Sequence, residues 1–196
     1  MISQLQQAKL SPTQMHQSLA TFIAKICTLS DKLGLDLTAY QADHLALRIN
    51  HVELAKAAHQ AWLEYGKEIS RAQINGRPII VIAFDTPLVA MDWSIECLEL
   101  PYPAEGKLYP NQDWEHVEFV VPSTAQTADD YFADIKRAFP ELEEALAQNP
   151  QVKVKLSSPK GEGERLNNPT VAFKHQGVCI KLHPHSLKAI VESEQG

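Results

Sequence analysis

The stretch YQADHLALRI, residues 40–49, returns in altered form as DWEHVEFVV, residues 113–121. Each places an acidic residue directly before a histidine and follows it with a short, largely apolar run of the kind that forms strands. Aligned on the histidines, ADHLALRI sets Asp43 against Glu115, His44 against His116 and Arg48 against Val120. Further along, SIECLELPYP answers GVCIKLHPHS, with LEL at 98–100 against IKL at 180–182 and therefore Glu99 against Lys181. Two corresponding segments in the same order in each half point to an internal repeat.

Between these landmarks the same succession of elements is expected twice. The first half offers a strand at 45–49, a helix over 53–65, a turn at Asn75-Gly76-Arg77-Pro78, and strands at 79–84 and 93–100 that end at PYP. The second offers a strand at 116–121 and helical material over 131–148 divided near Pro140. Extended segments then follow at 152–156, 170–173 and 177–184. Ahead of both, Ser11-Pro12 can start a helix whose apolar positions Leu19, Phe22, Ile23, Ile26, Cys27 and Leu29 recur at helical intervals up to Gly34. Such a stripe reads as a face packed on the main body, with a partner-binding helix as the other reading.

Composition narrows the function classes. A chain of 196 residues with 44% hydrophobic residues buries roughly 70% of its extended surface and supports a substantial core. A formal charge of -6 gives no general attraction to phosphate backbones, so no nucleic-acid partner is expected. Cys27, Cys97 and Cys179 are odd in number, widely spaced and set among apolar neighbours, which suits reduced structural thiols rather than disulfides or a four-cysteine zinc site. The first residues have neither a basic head nor a long apolar run, and no segment is long enough to span a bilayer. A cytoplasmic protein without a membrane partner is expected. There is no glycine-rich dinucleotide fingerprint, P-loop or serine nucleophile elbow.

The motifs ADHLALR, NGRPI, ELPYP, WEHVE, SSPKGEGERLNNPT and IKLHP, in that order, resemble the small bacterial YecM-like family. The paired halves, each with a histidine in its first strand, resemble more broadly the vicinal oxygen chelate superfamily, whose familiar member is glyoxalase I. The resemblance implies an α+β fold of paired beta-alpha-beta-beta-beta modules, with a curved mixed sheet around a cleft. On this chain that gives an N-terminal helical segment at 1–38, module one at 39–108 and module two at 109–190. It also implies a divalent metal held by one histidine and one carboxylate per module, which here means His44, Glu99 and His116. Zinc, nickel, manganese and iron are all compatible with such donors. The second-module carboxylate of the superfamily is replaced by Lys181, whose ammonium has no lone pair to donate.

The residues themselves leave alternatives. His44 and His116 read as ligands or as hydrogen-bonded cleft histidines; Glu99 reads as a ligand or as a buried partner of Arg48 or Lys181. Strand alternation puts Glu99 on one face with Trp93, Ile95 and Cys97, and puts His44 with Arg48 and His116 with Glu118. Arg48 suits either clamping a substrate carboxylate or neutralising Glu99 or Glu118. Glu118 suits orienting a ligand, replacing one, or acting as general base. His183, two residues beyond Lys181, shares its face and is displaced by roughly 6–7 Å along the strand, so it is a less direct substitute. Asp43 and Glu115 are expected on the opposite face as caps or solvent-facing ion pairs, and His185 as a turn or capping residue. Trp93 and Trp114 read as fillers of the junction between sheets, with lining of a hydrophobic cleft as the other reading. The segment at 157–170 reads as a connector or as a loop that offers Lys160, Arg165 and backbone donors to an anion.

Two functions follow as expectations. One is a metal-dependent isomerase, lyase or dioxygenase acting on a small oxygen-chelating carboxylate or carbonyl compound, with Arg48 and Glu118 as catalytic candidates. The other is a noncatalytic binding protein in which Lys181 and Arg48 hold a small anion. An interaction protein using the N-terminal helix is a weaker third reading.

Overall fold

The computed structural model describes residues 2–159 and 165–193. A one-turn helix α1 (Gln4–Gln7) leads into α2 (Pro12–Lys32), which starts where Ser11-Pro12 predicted. The Ser11 hydroxyl accepts from the Gln14 amide while the Gln14 side chain accepts from the Ser11 amide, a reciprocal cap with proline at the first helical position. Met15, Leu19, Phe22, Ile23, Ile26 and Leu29 form its buried stripe.

Module one runs β1 (Gln41–Arg48), α3 (Val52–Trp62), β2 (Gly66–Ile74), β3 (Arg77–Ala90) and β4 (Trp93–Pro101). Module two runs β5 (Asp113–Val120), α4 (Ala128–Ala138), α5 (Leu142–Gln148), β6 (Lys153–Ser157), β7 (Thr170–His175) and β8 (Val178–His183), and a helix α6 (Leu187–Glu192) follows. The eight strands form one open mixed sheet in the order β2-β3-β4-β1-β5-β8-β7-β6. Within each module the first and last strands pair in parallel; β1 and β5 pair antiparallel at the centre and join the halves. This is the expected paired-module architecture, with a cleft over one face of the sheet and the helices contributing to the core on the other.

Local chemistry accounts for the hairpins. Asn75 and Gly76 both have positive φ, 54° and 77°, the twist that a two-residue hairpin between β2 and β3 needs. Gln176 and Gly177, at 47° and 81°, repeat the device between β7 and β8. β2 was not among the strands read from the sequence: KEISRAQI carries charges on an edge strand with a single neighbour and lacks a continuous apolar face.

Two of the three tryptophans tie the N-terminal segment to the sheet. Trp114 donates from Nε1 to the Met15 carbonyl at 3.0 Å, and Trp93 donates to the Leu37 carbonyl at 3.2 Å. The stripe of α2 is therefore core, packed near β5 and β8. Trp93 and Ile95 also join that core, where the Trp93 ring meets Phe119, whereas Glu99 lines the cleft. The common face expected for residues 93–99 is thus not kept.

Candidate metal centre

Two irregularities in the β1–β5 ladder build the site. Ala42 pairs with Phe119 and His44 with Glu118, so Asp43 is an extra residue in β1; Ala46 pairs with His116 and Leu47 with Trp114, so Glu115 is an extra residue in β5. A bulge sets two consecutive residues against one partner and re-aims their side chains. That overturns the expectation that Asp43 and Glu115 face away from the histidines, toward solvent. Asp43 is fully buried, and each carboxylate binds the ring of the histidine that follows it. His44 donates from Nδ1 to Asp43 Oδ2 at 3.0 Å, and His116 donates from Nδ1 to Glu115 Oε2 at 2.5 Å.

With Nδ1 committed, each ring turns Nε2 toward Glu99 and Glu118. His44 Nε2 lies 3.1 Å from Glu118 Oε2 and 3.5 Å from Glu99 Oε2; His116 Nε2 lies 3.8 Å from Glu118 and 3.9 Å from Glu99. One donor atom from each of the four residues falls within 4.8 Å of the others. Both Nε2 atoms are buried, and neither makes an aligned hydrogen bond. Two imidazoles backed by carboxylates and converging on two further carboxylates form a set of donors suited to a divalent ion.

The charges follow from that geometry, and at His44 they favour a proton that a metal ion would have to displace. Burial opposes ionisation of Glu99, but the adjacent His44 ring, with the charges of His116 and Lys181, brings its pKa down to about 2. Burial is likewise outweighed at Glu118, where His183 and His44 hold the carboxyl well below its ordinary range. His44 is raised well above the usual histidine value, burial being overcome by Glu118, Asp43 and Glu99. His116 is lowered by burial and by the charge of Lys181, so the neutral, coordinating form is favoured.

A family model described as YecM protein matches residues 11–194. The chain belongs to the YecM family. It is 39% identical to Protein YecM of Escherichia coli (strain K12) over 177 residues, 90% of each chain. An uncharacterized protein of Haemophilus influenzae is 35% identical over 182 residues, covering 90% of this chain and 91% of that one. The solved structure described as Structural Genomics, Protein EC4020, is 32% identical with a TM-score of 0.79, covering 100% of this chain and 98% of that one.

In this YecM-family chain the second carboxylate of the cluster comes from β5 rather than β8. Cys97 pairs with His44 and Cys179 with His116, so Glu99 and Lys181, two residues beyond each cysteine, occupy equivalent positions as the aligned repeats predicted. Glu118 is the ladder neighbour of Lys181 and brings a carboxylate to the cluster from β5. The regular alternation of His116 with Glu118 was the signal for it. Lys181 lines the cleft with no ion pair within 4 Å among the described residues. Burial would lower its pKa, yet Glu118, Glu99 and Glu115 raise it, so the ammonium stays charged.

The remaining candidates fall into place around these donors. Arg48 pairs with neither Glu99 nor Glu118; its Nη2 reaches Glu115 Oε2 at 3.1 Å. His183 stands outside the four-donor group, its Nε2 3.3 Å from Asp43 and its Nδ1 3.3 Å from Glu118. Asp43 also accepts from the Leu187 amide at 2.8 Å, which fixes the start of α6, while Ser186 rather than His185 caps that helix. Burial pushes the Cys97 thiol up to about 11 and the Cys179 thiol up to about 12, in keeping with structural cysteines. Ser157, Ser158, Pro159, Asn168 and Thr170 border the cleft, but Lys160, Gly161 and Gly163 of the loop expectation lie outside the described residues. Arg165 is exposed and does not line the cleft.

Proposed function

We propose that the chain binds one divalent metal ion through His44, Glu99, His116 and Glu118 and uses it to act on a small oxygen-chelating carbonyl or carboxylate compound. The observation that carries this reading is the convergence of two buried, hydrogen-bond-free Nε2 atoms on two carboxylates, each ring held from behind by a further carboxylate. Bound there, a divalent ion supplies Lewis-acid polarisation of a substrate oxygen. Asp43 and Glu115 keep the imidazoles in the coordinating tautomer. Lys181 places a permanent positive charge beside the cleft, where it favours negative charge developing on a substrate oxygen.

The test is elemental analysis of protein purified without chelators, together with calorimetric titration of zinc, nickel, manganese and iron(II). Near-stoichiometric uptake by the wild type, lost in folded His44→Ala, Glu99→Ala, His116→Ala and Glu118→Ala variants, is the expected result. A folded wild type that takes up none of the four ions overturns the reading and leaves the cluster as a network of ion pairs. The unpaired ammonium of Lys181 favours a second reading, a noncatalytic anion-binding cleft, which predicts anion binding with no turnover after metal loading.

A further inference from the structure

The cleft has a second feature, confined to one end. Here β1 contributes Arg48, the first residue of β3 contributes Arg77, and the connection between the modules contributes Lys107 and Tyr109. Arg48 is only 8% exposed and its guanidinium carbon lies 4.2 Å from the centre of the Tyr109 ring. Lys107 Nζ lies 5.2 Å from the same centre. Glu115 satisfies one nitrogen of Arg48; its Nε and Nη1, and the Nη1 of Arg77, are buried with no hydrogen-bond partner among the described residues. Burial would raise the Tyr109 pKa, but the charges of Arg48, Lys107 and Arg77 bring it down, so all three cations act on this corner.

Buried guanidinium N–H groups without acceptors are costly, and neighbouring cations repel. An anion supplied from outside relieves both, and the planar guanidinium fork matches carboxylate or phosphate oxygens. The counterpart of Arg48 in the other module is Val120, so the feature is not a by-product of the repeat. Arg48 and His44 are four residues apart on β1, roughly 13 Å along a strand, and the arginine side chain spans part of that gap. A cleft of about 370 Å³ admits a small molecule rather than a polymer.

We propose that Arg48 and Arg77, with Tyr109 and Lys107 behind them, form an anion subsite, so that the cleft takes a short compound with chelating oxygens at one end and a carboxylate or phosphate at the other. The chelating half rests on the metal reading above; the anion half does not. The test compares malate, lactate and 3-phosphoglycerate by calorimetry on metal-free and manganese-loaded full-length protein. These probes share a 2-hydroxy acid head and differ in bearing a distal carboxylate, a methyl group or a phosphate.

Malate or 3-phosphoglycerate should bind at least about tenfold more tightly than lactate. The stronger of the two identifies the anion as carboxylate or phosphate. Arg77→Gln and Arg48→Lys, both checked by thermal melting, should bring that ligand down toward lactate. Equal binding of all three probes, or an advantage that survives both substitutions, overturns the subsite. Manganese uptake without any preference among the probes overturns the subsite and leaves the metal reading standing. An Arg77-dependent preference in protein that takes up no metal supports the subsite and overturns the metal reading.

Discussion

As ligands in the proposed site, His44 and His116 each face two demands, a fixed tautomer on one nitrogen and a free lone pair on the other, and the residue directly before each meets the first. Converting Glu115 to Gln keeps the shape of that partner but removes its charge, and should weaken metal binding about 10- to 100-fold while thermal melting shows a folded protein. Calorimetric titration of the variant checks it. The neighbouring pair Glu118 and Lys181 allows a sharper test. Glu118→Ala should abolish metal uptake, and adding Lys181→Glu should restore a substantial part of it, because residue 181 is the equivalent of Glu99. Failure of the double variant to regain any ion would show that only β5 can deliver the fourth donor. His44, His116 and Glu99 were named through the family resemblance, since the repeat alone set the two histidines together but put Glu99 opposite a lysine. Glu118 was legible only as one of several options, since a glutamate two residues from a histidine on a strand fits many roles.

Among the elements, those with a strong local signal were read from the sequence: the capped start of α2, the Asn75-Gly76 turn and the break near Pro140. β2 and the two bulges were not. An edge strand needs no continuous apolar pattern, and a bulge leaves no mark of its own, because an acidic residue beside a histidine looks the same whether or not the ladder slips. The N-terminal helix was open to a partner-binding reading until the tryptophan contacts placed it in the core. Trp114→Phe leaves the Met15 carbonyl without that donor and should cost about 1–3 kcal/mol, measured by urea unfolding. A chain beginning at residue 39 loses the whole α2 stripe. It should show no cooperative melting transition; a cooperative transition would mean that the paired modules fold alone.

For the molecule as a whole, rising pH above 6.5 acts in opposite directions on the stability of the metal-free protein and on the proposed metal uptake. His44 has a folded pKa above its ordinary 6.5, so the stability it contributes is complete below that value and is lost as pH rises through the folded one. Glu99, lowered from 4.5 to about 2, contributes stability above 4.5 that is lost as pH falls toward 2. Metal-free protein should therefore lose stability on both sides, whereas metal uptake must displace the His44 proton and strengthens as pH rises. The increase in melting temperature on adding saturating zinc should grow between about pH 6 and about pH 8, read by calorimetric scans in matched buffers. An increase that is flat or shrinks with pH would mean that the ion does not compete for that nitrogen. The slipped pairs at the centre of the sheet carry one more consequence, a matter of odd and even counting. Excise Glu115 and Trp114 still meets Leu47 while His116 still meets Ala46, now as consecutive pairs in step. Such supernumerary residues can be gained or dropped singly without disturbing which side chains lie inside. A one-residue insertion or deletion at another point along β1 or β5 exchanges inside for outside along the rest of the strand.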